Sequence, residues 1–473
     1  MKINIKRFLL ISLLLLLGTT SFQGVVFAQE EAPIDGDDFA TYIVQPGDTL
    51  ASIAYQFGIS LDELIKVNDI ENPNAISIGT ELTLPGIIDV EGILTTITTI
   101  LGSTLNSLSV QYDIPISTLV KINKIVSPIE LYKGASLIIP IKEDLVPIKP
   151  LANLSTNRTM LEEAVLAQQG QWDIARANQR ETLWDFLPGE LIYGYAQETG
   201  EVQENTAISP SIVDLEISPE KLTQGTIATI RVETNEPLQL LGNLGDKKLN
   251  FFEESPNVYV AYTGIHALTE PGTLPFSISS LKEDENPFGF EQMLIAYDTY
   301  YGSESIIVNP QTIDLKINDK ENAFIFSLVE PATEEKYWSA PFSCVVDQPV
   351  CIRSWYGTNR DYNDGLFYNF HSGIDYGVCA SLNIIAPADG VVAFTGPLTV
   401  RGNVTFIDHG WGVYSAFYHQ SEILVEEGQK VSRGQIIGLI GTTGRSTGAH
   451  LHYGLFVNGV QVNPLNLLDP SCQ

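Results

Sequence analysis

Basic residues are scarce: 26 Lys and Arg stand against 57 Asp and Glu in 473 residues, a net charge of −31. Such a polyanion does not bind nucleic acid or acidic lipid through a general basic surface, so partners must be held by shape, hydrogen bonds, metal or local sites. Long apolar runs are missing beyond the first 30 residues, which excludes a polytopic membrane protein. Cysteine is confined to Cys344, Cys351, Cys379 and Cys472, with no Cys-x-x-Cys pair, which argues against a four-cysteine zinc site. Histidine is confined to six positions, and only His266 lies outside the last 103 residues. No His-Glu-x-x-His segment occurs, so the helical zinc motif with a glutamate base is absent.

What is present points to several folded units. The chain is too long for one hydrophobic core, and 44% hydrophobic against 18% charged residues excludes a largely disordered protein. Acidity is concentrated in the middle: residues 151–340 carry 11 basic and 30 acidic groups, residues 341–473 only 6 and 10. At the start, Lys2, Lys6 and Arg7 precede the apolar stretch Phe8 to Leu17, and Val26-Phe27-Ala28 offers small residues for cleavage. This layout predicts a secretory signal peptide over 1–28, and a secreted protein, extracellular or associated with a cell wall, with no membrane span after cleavage. Four cysteines in an oxidising compartment predict two disulfides. Three pairings are possible; Cys344–Cys351, which closes a short loop, and Cys379–Cys472, which ties down the C-terminus, are expected.

Residues 42–86 read as strand, helix, helix, strand. Tyr42 to Gln45 is a short strand, Pro46-Gly47 a turn, and Asp48 or Thr49 a helix cap. Leu50, Ile53, Ala54 and Phe57 then recur at helical spacing before Gly58, and Ser60 opens a second helix ending at Asn68. Gly47, Leu50, Leu64, Asn68, Gly79 and Pro85 have counterparts 55 residues on at Gly102, Leu105, Leu119, Asn123, Gly134 and Pro140, so 97–141 is a diverged second copy. Both copies resemble the LysM module. The resemblance implies that peptidoglycan or chitin, polymers of N-acetylglucosamine, binds between the first and last loops: Gly47, Asp48, Thr49 and Leu50 on one side, Ala75, Ile76, Ser77 and Ile78 on the other.

Residues 142–210 read as a helical and polar linker, with apolar positions such as Met160, Leu161, Val165 and Leu166 at helical spacing. Residues 211–309 alternate with a period near two, as in Thr226 to Val232 and Val258 to Tyr262, and predict an antiparallel sandwich. It is similar in pattern to immunoglobulin-like spacers of secreted wall enzymes. His266 within it reads as structural.

The last segment, 341–473, carries the chemistry. His371-Ser372-Gly373-Ile374-Asp375, Tyr418-His419 and His450-Leu451-His452 lie among glycine-rich, β-branched stretches and so belong to strands and turns of a mainly β domain. His450 and His452, two apart on a strand, share a face. His371 and Asp375 are too far apart on a straight strand to share an ion, but Gly373 permits the bend that closes the gap. Two histidines, one aspartate and a position left for water make an open catalytic zinc site. Together with Asp408-His409-Gly410-Trp411-Gly412, Thr443-Gly444-Arg445-Ser446-Thr447-Gly448 and Asn463-Pro464, these motifs resemble the lysostaphin/LytM-type zinc metallopeptidases of peptidoglycan. The resemblance implies Zn²⁺ held by His371, Asp375 and His452, with His419 and His450 as non-ligand catalytic histidines and the peptide of peptidoglycan lying in the groove. Which of the two is the base stays open at this point, and His409 is structural. Arg360 and Tyr368 are candidates for substrate contact. The alternative function is a wall-binding scaffold or an activator of other hydrolases, without catalysis.

Overall fold

The computed structural model describes residues 39–472, apart from 88–89, 91, 128–129, 143–144, 147, 155–157, 188, 196–207 and 282–287. The segment expected to be a signal peptide, 1–28, lies outside the described residues. Among those described, no helix is long and apolar enough to cross a membrane.

Both expected repeats form. Strand Ala40–Ile43, helices Leu50–Phe57 and Leu61–Val67 and strand Glu81–Leu84 build the first. Strand Ile93–Thr98, helices Leu105–Tyr112 and Ile116–Asn123 and strand Ser136–Ile141 build the second. The two share one four-stranded sheet through a parallel pairing of Thr41 with Ile93. Thr49 and Thr104 open their helices with reciprocal caps from Ser52 and Ser107. An asparagine locks each repeat: the Asn68 side-chain amide donates to Leu64 O at 2.9 Å and Thr83 O at 2.8 Å and accepts from Thr83 N at 2.7 Å. Asn123 repeats all three bonds with Leu119 and Ile138.

The linker expected over 142–210 is instead largely a third unit of the same design. Strands Ile148–Asn153 and Leu191–Tyr195 pair antiparallel around helices Met160–Leu166 and Gln171–Ala177. The offset is again 55: Thr159 caps with Glu162, and Asn178 bonds Ile174 and Tyr193 as Asn68 bonds Leu64 and Thr83. Gly79, Gly134 and Gly189 all take positive φ, at +84°, +93° and +87°, where a side chain would be strained. Helical periodicity was present in the sequence, but the sheet that makes this a folded module comes from strands Ile148–Asn153 and Leu191–Tyr195 at the two ends of the segment, whose pairing no local pattern specifies.

The next unit has two sheets over one core. Strands Phe252–Ser255, Val258–Gly264, Ile227–Thr234 and Ile212–Ser218 form one. Lys247–Lys248, Leu240–Leu244, Gly272–Ser280, Gly289–Tyr297 and Leu222–Thr223 form the other. The expected sandwich is therefore present, antiparallel except for the pairing of Leu222–Thr223 with Gly289–Tyr297. It is not free-standing: Ile227 and Ala267 belong to the same buried cluster as Val460 and Val462 of the last domain. Phe252 stacks on Trp411 with ring centroids 5.2 Å apart, and His266 meets Phe370 edge-on at 4.9 Å, a structural setting.

Two boundaries move. Ser303–Ile306, assigned to the sandwich by its alternation, pairs parallel with Asn359–Tyr362 of the last domain. Helix Leu315–Val329 packs Ile325 and Val329 against Phe406, Tyr414 and Tyr418. The C-terminal domain thus begins near residue 303, not 341. Its main sheet runs Ile352–Ser354, Ile374–Gly377, His450–Val457, Val413–Gln420, Gly402–Asp408, Gly390–Leu398 and Lys430–Val431, with Val460–Val462 added beside His450–Val457.

The disulfides are Cys344–Cys472 and Cys351–Cys379, with Cα atoms 5.1 and 6.1 Å apart, not the proximal pairing expected. Sheet pairing decides. Ile352–Ser354 lies antiparallel to Ile374–Gly377, which sets Cys351 beside Cys379. Backbone bonds between Phe342 and Leu467 and between Asp469 and Phe342 bring Cys344 to the C-terminal turn.

Candidate metal centre and active site

Three neighbouring strands deliver the site. Asp375 lies opposite His452 in the antiparallel register of Ile374–Gly377 with His450–Val457, and Tyr418 lies opposite His452 on the other side. Gly373 is required between His371 and Asp375 for space as well as for bending. A Cβ there would sit 2.2 Å from Tyr453 O and 2.7 Å from His452 Nε2.

The result is a tight triangle. His371 Nε2 lies 3.0 Å from Asp375 Oδ1 and 2.9 Å from His452 Nδ1, and His452 Nδ1 lies 2.9 Å from Asp375 Oδ1. His371 Nδ1 is 2.8 Å from Trp355 O, a carbonyl that can only accept, so Nδ1 carries the proton and Nε2 presents a lone pair. Burial pushes His452 down to about 3, which favours its neutral, electron-pair-donating form. Burial would raise Asp375, but its close contacts with His371 and then His452 outweigh it and hold the carboxyl well below its usual range. Three electron-pair donors crowded at one point are what a divalent cation needs, and their spacing suits donor–metal distances of ~2.0–2.2 Å. This is the cluster of three His and Asp donors that could hold a metal ion among the described residues.

Arg360, a candidate for substrate contact, lines the groove and also braces Asp375. Instead of facing substrate alone, it donates from Nη2 to Asp375 Oδ2 at 2.6 Å and to Ser354 Oγ at 3.0 Å, and from Nε to Glu304 at 2.5 Å. Burial works against its charge, but Asp375 outweighs it and keeps the guanidinium protonated. The bond leaves Oδ1 of Asp375 turned to the two histidines. Arg360→Ala is expected to weaken metal retention by about 10–100-fold, as loss of a group orienting a ligand does. Competition against a chelator measures it, and unchanged retention would refute the positioning role. Tyr368 is 70% exposed on the edge strand Phe367–Phe370.

The two other histidines flank the triangle. Their rings are 4.8 Å apart, and His450 Nε2 lies 3.7 Å from Asp375 Oδ1. His419 Nδ1 is 2.8 Å from Thr443 O and His450 Nδ1 2.8 Å from Gly448 O, so both donate from Nδ1 and offer a bare Nε2. His419 holds φ of +64° where its strand gains an extra residue against Gly402–Asp408, and so consecutive Tyr418 and His419 both border the groove. Burial, then the nearby His450 and His452, push its pKa to about 3. His409 does not approach this groove. It is fully buried, donates to Asp389 O and accepts from Ser415 Oγ, the structural role expected.

Arg401 and Arg445 line the groove together with Ile306 and Val308. Arg401 is held by Glu321 and Asn322 of helix Leu315–Val329, and Arg445 lies over the Tyr362 ring at 4.8 Å. Neither arginine was singled out in the sequence, because their convergence depends on elements 80 to 130 residues away.

The expected glycan residues of the first repeat are brought to one end, but with different parts. Ala75, Ser77 and Ile78 are exposed and Ile76 is half-buried, while Gly47 is exposed. Asp48 accepts from Tyr42 Oη and Gln45 N, both at 2.7 Å, and Thr49 caps its helix. Leu50 is 1% exposed, so its side chain belongs to the core and not to a groove.

Comparison with known proteins agrees with this layout. Residues 369–464 match the model of Peptidase family M23, and residues 42–85 and 97–140 that of the LysM domain. Peptidoglycan DD-endopeptidase ShyA of Vibrio cholerae serotype O1 is 46% identical over 100 residues, 21% of this chain and 23% of that protein. DD-carboxypeptidase/endopeptidase Mpg of Neisseria meningitidis serogroup B is 41% identical over 104 residues, 22% of this chain and 24% of that protein. The chain therefore matches about a quarter of the length of these relatives. Among solved structures, the catalytic domain of lysostaphin from Staphylococcus simulans is 29% identical, with a TM-score of 0.21, over 23% of this chain and 81% of that one. The triangle and its two flanking histidines all lie within residues 369–464, the stretch that matches Peptidase family M23, which follows the two stretches that match the LysM domain.

Proposed function

We propose that the protein is a secreted, zinc-dependent endopeptidase that hydrolyses the peptide stems or cross-bridges of peptidoglycan and is held at the cell wall by its LysM repeats. The observation that carries this reading is the triangle of His371, Asp375 and His452 at 2.9–3.0 Å with His419 and His450 beside it in an open groove. His371 Nε2, Asp375 Oδ1 and His452 Nδ1 would hold the ion. When bound, zinc would lower the pKa of a water from 15.7 towards ~7 and polarise the scissile carbonyl.

The chain's own groups do the rest. The water's oxygen joins the carbonyl carbon, the C–N bond breaks, and one proton must travel from the water to the leaving amine. His450 is suited to carry it: its side chain is 17% exposed at the groove, and with Nδ1 held by Gly448 O its Nε2 lies 3.7 Å from Asp375 Oδ1. His419, deeply buried and pushed to about 3, is the weaker base, and its Nε2 orients the reacting groups. Arg401 and Arg445 supply positive charge for the carboxylates of a peptide stem. The two-sheet unit, which we read as immunoglobulin-like, carries the repeats alongside the catalytic domain.

Wall targeting is tested separately from catalysis. A fragment of residues 29–195, which contains no histidine, is expected to sediment with insoluble peptidoglycan and to be released by soluble N-acetylglucosamine oligomers. A fragment that stays in the supernatant would remove the targeting role and leave the peptidase reading intact.

A further inference from the structure

The second repeat turns its groove onto the two-sheet unit. Gln292, on strand Gly289–Tyr297, is 6% exposed and inserts its carboxamide between the first and last loops of that repeat. Gly102 N donates to Gln292 Oε1 at 2.9 Å, and Gln292 Nε2 donates to Ile100 O at 3.1 Å and Leu131 O at 3.3 Å. Next to it, Lys133 N donates to Met293 O at 2.9 Å. Leu101 joins the core of the two-sheet unit.

The same positions in the first repeat, 55 residues earlier, are open. Gly47 and Pro46 are exposed where Gly102 and Leu101 are buried, and Ile76 is half-buried where Leu131 is 4% exposed. One backbone N–H and two backbone carbonyls converging on a carboxamide form a site for an amide. The N-acetyl group of an amino sugar presents the same C=O and N–H.

We propose that Gln292 occupies, within its own chain, the groove of the second repeat that would otherwise take an N-acetylated sugar. Glycan and the two-sheet unit then compete for the second repeat, while the first repeat binds freely. This rests on the glycan reading of the first repeat.

Amide hydrogen exchange of the full secreted chain with an N-acetylglucosamine hexasaccharide tests it. In the native protein the sugar should slow exchange in 44–50 and 75–79 and leave 99–105 and 130–134 unchanged. In Gln292→Ala, and in Gln292→Glu, which keeps the acceptor and loses both donors, exchange at 99–105 should rise without sugar. The hexasaccharide should then slow it, at roughly 10–100-fold lower concentration than in the native chain. Native protein protected at 99–105 as strongly as at 44–50 would overturn the proposal, as would protection at the first repeat with none gained at the second in either variant. Protection absent from the first repeat as well would remove the glycan reading and this inference with it.

Discussion

His371→Ala is expected to reduce peptidoglycan hydrolysis by about 10⁴-fold or more, because it removes a metal ligand and with it the Lewis acid and the activated water. Metal content should fall together with activity, from one zinc per chain to near none in dialysed protein, while binding to walls through the repeats persists. Asp375→Ala should behave likewise, with an added penalty. Arg360, 11% exposed and bonded to Asp375 Oδ2, would be left with Glu304 alone to balance its charge. Mass spectrometry of muropeptides released from defined peptidoglycan reads the loss. A His371→Ala protein that keeps full activity, or that loses activity while retaining stoichiometric zinc, would refute the ligand assignment.

Substitution of the flanking histidines should separate chemistry from metal binding. His419→Ala and His450→Ala are each expected to retain zinc and to lose about 10²–10⁴ in turnover, the usual contribution of a positioned acid–base group. The larger loss is expected for His450, the better-solvated imidazole. The acid side of the pH profile follows from the same geometry. His419 has a folded pKa of about 3, below the ordinary 6.5, so it stays neutral as pH falls through 6 and 5. Any loss of activity over that interval therefore belongs to another group. Loss of zinc from either variant would make that residue a ligand, contrary to its distance from the triangle.

The catalytic constellation was legible because its chemistry is written in short motifs. His450 and His452 needed only the two-residue period of a strand, and Gly373 announced the bend, though not the Tyr453 carbonyl that leaves no room for a side chain there. Arg360 was visible as a residue but not as a partner of Asp375, since that contact requires Asn359–Tyr362 to lie beside Ser303–Ile306, which no local pattern specifies. The disulfide pairing failed for the same reason: strand pairing, not chain proximity, decides which sulfurs meet. The third repeat was overlooked although Thr159, Asn178 and Gly189 keep the 55-residue spacing. Its core positions had changed character, with Glu163 where Ile53 stands and Ala167 where Phe57 stands. The polar lock outlasted the apolar pattern by which such repeats are usually recognised.

Cys344–Cys472 closes a loop of 128 residues that contains all five histidines of the C-terminal domain. Exposed loops between residues 345 and 471 are where proteolytic nicking would fall. One such cut would leave two pieces still stitched by sulfur, travelling as a single band on a denaturing gel until a reductant parts them. The molecule could in this way survive a broken backbone with its metal-binding triangle still assembled.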